Sequence, residues 1–114
     1  MSANNMDLVV VVCNEGYADL VMQLAKDAGA RGGTIFSANG SLSPNTAKLY
    51  GIEIHPEKEV VFIISNHQTA DKILSTIYDN AGSESPAMSI AFTLPVNNAS
   101  SNLVDQFNKK EKEK

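Results

Sequence analysis

An α+β sandwich is the fold these residues predict, with four antiparallel strands and two helices on one face in the order βαββαβ. Three observations carry it. Two apolar, β-branched runs, MDLVVVVC (6–13) and EVVFIIS (59–65), read as well-packed strands. Each is followed by an asparagine, an apolar stripe at helical spacing and a glycine. Each stripe is followed in turn by a second short strand, GTIFSA (33–38) and IAFTLPV (90–96). Two β-α-β units of this length in one chain suggest the ferredoxin-like split β-α-β sandwich.

The elements follow in order. After the first strand, Asn14 offers a helix N-cap, and Glu15 and Asp19 suit an early helical turn. Leu20, Val21, Leu24, Ala25 and Ala28 form one apolar stripe, and Gly29 ends the helix by entering the left-handed C-cap conformation. In the second half Asn66 is again the candidate cap, and Ala70-Asp71 echoes Ala18-Asp19. The stripe there is Ile73, Leu74, Ile77, Tyr78 and Ala81, with Gly82 matching Gly29. The helices cover one face of the sheet. The other face carries Val, Ile and Phe as well, and such a face packs against further subunits, so an oligomer is expected.

The connection between the halves, NGSLSPNTAKLYGIEIH (39–55), is longer than a usual hairpin loop and holds several turn signals. Connections of this length are often functional. Residues 1–104 read as a single domain, and residues 105–114, ending KKEKEK, as a charged, flexible tail.

Composition narrows the function. A chain of 114 residues with 43% apolar content buries a core without a disulfide or structural metal. Its formal charge is −4, and its 9 basic residues include one arginine, Arg31, and form no patch of the kind nucleic acid requires. The lone cysteine, Cys13, sits in an apolar run and reads as a buried residue in a reduced compartment. No leader-like order opens the chain, and no apolar run nears the ~20 residues of a membrane span. A cytoplasmic protein is expected.

Catalytic sets are missing from the pattern. His55 and His67 are the only histidines and lack metal-ligand spacing, and no nucleophile elbow is present. The glycines of GARGG (29–33) follow a helix and open a strand, the reverse of a phosphate cradle's context. They read as a helix stop and a tight strand entry.

Taken together, GARGGTIF (29–36), LYGIEIHPEKEVVFII (49–64) and SIAFTLPV (89–96) resemble the PII signalling proteins of the nitrogen-regulatory superfamily, and in particular their short-loop relatives. The resemblance spans residues 7–103. It implies a ferredoxin-like homotrimer that regulates rather than catalyses. It also implies adenine-nucleotide binding in clefts between subunits, in many members with 2-oxoglutarate and Mg²⁺. Ligand occupancy would reshape the loop that docks on a transporter, an enzyme or a transcription regulator. Carried over residue by residue, Thr34 would lie near an adenine, and Gly40 and Ser41, after Asn39, would meet phosphates. Ser85, Ala87, Met88 and Ser89 would belong to a second phosphate loop. Leu42, Lys48 and Tyr50 would lie in the partner loop.

Departures from the family pattern bear on the ligand. The family's second loop has glycines and a lysine where this chain has Ser-Pro-Ala-Met beside Glu84, and its C-terminal basic residues have no counterpart between Val96 and Asn108. In the short-loop relatives an arginine commonly stands at the position of Asn39. Charge-assisted bonds are the strong ones, so ATP is weakened as a ligand, and ADP, AMP, another small anion or no ligand stay open. Two rival readings remain: a divalent-metal trimer like the copper-tolerance relatives of this fold, and a degenerate structural module without a ligand.

Overall fold

The computed structural model describes residues 5–40, 48–49, 52–53 and 57–100. The chain runs β1 (Met6–Asn14), α1 (Ala18–Asp27), β2 (Thr34–Asn39), a short pair β3 (Lys48–Leu49) and β4 (Ile52–Glu53), then β5 (Glu57–Asn66), α2 (His67–Ala81) and β6 (Ile90–Pro95). The main sheet has the order β2-β5-β1-β6, and all its pairings are antiparallel. Each β-α-β unit is therefore split by a strand from the other half, as the sandwich topology requires. The pair β3–β4 gives the 39–55 connection an antiparallel hairpin of its own, which the turn signals alone did not foretell. Residues 101–114, including the charged tail, lie outside the described residues.

Strand alternation sorts the apolar runs onto two faces. Val9, Val11 and Cys13 of β1 and Val61 and Ile63 of β5 point to the helices and are buried with Val21, Met22, Ala25, Ile73 and Ile77. The opposite face carries three apolar rows. Phe36, Val60, Val12 and Ile90 lie side by side, then Phe62, Val10 and Phe92 beside Thr34, then Ile64, Leu8 and Leu94. None of the described residues covers this face, and its outer residues Phe36, Phe62, Ile64, Ile90, Phe92 and Leu94 are exposed.

Helix ends show where local signals hold and where distant contacts override them. Asn66 caps α2 as expected: its side chain accepts a hydrogen bond from Thr69 N at 2.8 Å. Gly29 has φ 114°, and the Gly29 N→Lys26 O and Ala30 N→Ala25 O bonds complete a Schellman turn after α1. Asn14 does not cap α1. It stays in β1, and the helix starts at Ala18 after Tyr17, which offers no side-chain cap. Gly82 is not left-handed either, with φ −68° and ψ −170°. A side chain there would meet Tyr78 O at 2.7 Å, so the glycine answers a steric need.

The buried stripes are also shifted. In α1 the core positions are Ala18, Val21, Met22 and Ala25, an i, i+3, i+4, i+7 set that leaves Leu20 exposed. In α2 they are Ala70, Ile73, Ile77 and Ala81, and Tyr78, next to Ile77 but turned off that line, is 80% exposed.

Candidate ligand site at the loop end of the sheet

The C-terminal ends of β1 and β2 and the starts of β5 and β6 lie at one end of the sheet. Three connections gather there: the β1–α1 turn, the entry and exit of the 40–56 connection, and the loop 82–89. Asn14 joins two of them. Its backbone N–H donates to Ala87 O at 2.9 Å and its side-chain amide to Pro86 O at 3.1 Å. Its Oδ1 accepts from Lys58 Nζ at 2.7 Å.

Glu59 supplies the cap that Asn14 does not. Its Oε1 accepts from Gly16 N at 2.6 Å and from Ala18 N at 3.3 Å, covering the N-terminus of α1 from a neighbouring strand. Glu15 is bonded through its backbone N–H to Glu57 O at 3.3 Å. Its carboxyl is pushed above the usual range by a side-chain hydrogen bond with Glu57, then by the charges of Glu57 and Glu59. Burial, with Glu59 adding, raises the Cys13 thiol, whose Sγ lies 3.7 Å from Glu59 O. Carboxylates therefore dominate this end.

The sequence-derived site residues divide between the two edges of the sheet. Asn39, exposed, pairs with Glu57 on the β2 edge, and Gly40 follows it half-buried. Thr34 is exposed on the open face opposite Phe62, five residues back along the strand, or about 17 Å from Asn39. Ser85, Ala87, Met88 and Ser89 lie in the loop that precedes the β6 edge. Three strand spacings, about 14 Å, separate the two edges. Within one chain the two halves do not converge. Ser41, Leu42 and Tyr50 lie outside the described residues, as does the side chain of Lys48.

The loop 82–89 is tied to the helix it follows. Ser85 Oγ and Ser85 N both donate to Gly82 O, at 2.7 and 3.0 Å. Ser89 Oγ and Ser89 N both donate to Ala81 O, and Met88 N to Ser85 O. Ala87 is buried, and Met88 is exposed with φ 45°. A shallow groove of about 320 Å³ runs beside the loop, lined by Leu74, Tyr78, Ser89 and Ile90 among others.

Sequence reasoning missed Lys58 and Glu59 and misassigned Asn14. The partners of Glu59 lie more than forty residues away along the chain, so no local pattern betrays them. At the far end of the sheet His67 opens α2 with Nδ1 2.7 Å from Asp7 Oδ2. Among the described residues no group of three or more His, Cys, Asp or Glu side chains is placed to hold a metal ion, and no helix is long and apolar enough to cross a membrane. His55 lies outside the described residues.

Sheet order and helix placement define a ferredoxin-like fold. It matches a PII-like signalling protein of Thermus thermophilus with a TM-score of 0.62 and 21% identity, over 80% of this chain and 85% of that one. It also matches Arabidopsis thaliana PII, solved with citrate bound, with a TM-score of 0.62 and 17% identity, over 82% and 76% of the two chains. No family model matches the sequence, and no curated protein does.

Proposed function

We propose that this chain is a non-enzymatic, homotrimeric regulator of the cytoplasm. It senses a small ligand in clefts between subunits and signals through the 39–50 connection to a protein partner such as a transporter or a metabolic enzyme. The uncovered sheet face carries this reading. Three apolar rows, with Phe36 and Phe62 packed edge-to-face at 4.9 Å, make a contiguous patch of the kind that monomers rarely leave in water. The separation of the site residues onto opposite edges agrees with it, because the β2 edge of one subunit and the 82–89 loop of another are what a shared cleft would join. The buried thiol of Cys13 fits a reducing compartment. The rival metal-binding trimer finds no ligand cluster among the described residues.

The test is sedimentation equilibrium of the full chain. The expected mass is three times that of the 12.2 kDa chain. A monomer at micromolar concentration would remove the cleft, and with it the reading.

A further inference from the structure

We propose that His67 and Asp71, at the start of α2, form a surface site for a divalent transition-metal cation such as Zn²⁺, with Asp7 holding the imidazole in place. The site goes beyond the regulator reading and does not depend on it. It lies at the other end of the sheet from the three gathered loops, since Asp7 stands seven residues, or about 23 Å along β1, from Asn14.

Orientation is the first ground. His67 opens α2, and its backbone N–H donates to Asn5 O at 2.9 Å. Its Nδ1 lies 2.7 Å from Oδ2 of Asp7, whose side chain on β1 is only 12% exposed. An ionised carboxylate accepts a hydrogen bond and cannot donate one, so Nδ1 carries the proton and the neutral imidazole keeps its lone pair on Nε2. Metal-binding histidines are oriented in this way, the carboxylate fixing the tautomer and making the free nitrogen more basic. The His67 side chain is 66% exposed, which leaves space for an ion and its waters.

Donor chemistry is the second ground. Asp71 stands one helical turn on, and its Oδ2 lies 3.9 Å from His67 Nε2. Two donors on one tetrahedral zinc, each about 2.1 Å from it, stand about 3.4 Å apart. A small rotation of the exposed Asp71 carboxylate closes that difference. One imidazole nitrogen and one carboxylate oxygen suit Zn²⁺, Ni²⁺ or Cu²⁺ better than Mg²⁺ or Ca²⁺, which take oxygen ligands. The chain supplies two ligands and water the rest. Such a site is weaker than a structural metal centre and differs from the cluster of three or more that the rival metal-binding trimer needs.

Isothermal titration of the untagged full chain with zinc chloride tests this, in a non-chelating buffer at about pH 7.5, above the ordinary histidine pKa. The expected result is one zinc per chain with a Kd on the order of 10–100 µM, because two of the usual four ligands supply about half of a structural site's binding free energy. His67→Gln and Asp71→Asn, both at exposed positions, should each weaken zinc by about tenfold or more with the Tm little changed. Asp7→Asn keeps an acceptor for Nδ1 but removes the charge, and should weaken zinc about tenfold. His55→Gln should leave the affinity within about threefold. No zinc binding by the native chain below about 1 mM would overturn the proposal. So would native affinity in His67→Gln or Asp71→Asn, a tenfold loss in His55→Gln, or displacement of the zinc by equimolar Mg²⁺. Sedimentation of the zinc-free chain judges the regulator reading separately.

Discussion

His67 shows how a single exposed side chain ties two elements together. It begins α2, and its Nδ1 meets the buried carboxyl of Asp7 at the start of β1, while Asp71, one turn on, lies 3.9 Å from Nε2. The hydrogen bond to Asp7, then the charges of Asp7 and Asp71, raise the imidazole pKa above its ordinary value of 6.5. A raised folded-state pKa means stability that is fully present below about pH 6.5 and lost as pH climbs through the folded value. Urea midpoints of the native chain should therefore fall between pH 6 and 8, whereas those of His67→Gln should change less over that window. Equal slopes for the two proteins would show that the pair contributes nothing. One residue earlier, Asn66→Ala removes the acceptor for Thr69 N and should cost about 1 kcal/mol in the same assay.

At the scale of elements, Gly33 governs how β2 enters the sheet. A Cβ at that position would stand 2.7 Å from Phe62 O and 2.9 Å from Ile63 Cγ1. Backbone cannot yield as a flexible side-chain tip can, so Gly33→Ala should destabilise by about 2 kcal/mol, read as a lower Tm. The sequence pointed to a tight strand entry at this glycine, and it showed the βαββαβ order, the four long strands and both helices. What it showed well was local. Apolar runs marked β1 and β5, helical spacing named Val21, Ile73 and Ile77, and its place between strand and stripe made the Asn66 cap visible. What it missed was set by tertiary contact. Asn14 carried the same cap signal, but Lys58 and the 86–87 carbonyls drew it into the sheet end and left α1 to be covered by Glu59. Tyr78 fell on a plausible stripe, yet α2 meets the sheet through a narrower one of Ala and Ile. The candidate site was legible as a set of segments, and its division between two edges was not, because strand order decides it.

For the whole molecule, the open face of the sheet is the feature that assembly must answer. Phe92→Glu places a charge in the middle of that face on the edge strand β6, where the native ring is already exposed. The expected outcome is a chain that sediments as a monomer with its far-UV circular dichroism kept. If the proposed trimer forms and survives this substitution, its subunits join elsewhere. Strand order has another consequence, for how the chain is made. β1 is emitted first from the ribosome, yet it occupies an interior place, with Met6 opposite Asn66 on one side and Val12 opposite Ile90 on the other. Neither neighbour exists until β5, at Glu57–Asn66, has been synthesised. For that interval VVVV waits with both flanks unpaired, in a segment that would readily join another nascent copy. Docking of α1 cannot relieve it, since helices cover faces and not edges. Fast, late pairing of β5 with β1 is thus the step on which yield depends, and slowing translation between residues 14 and 57 should lower the recovered native fraction.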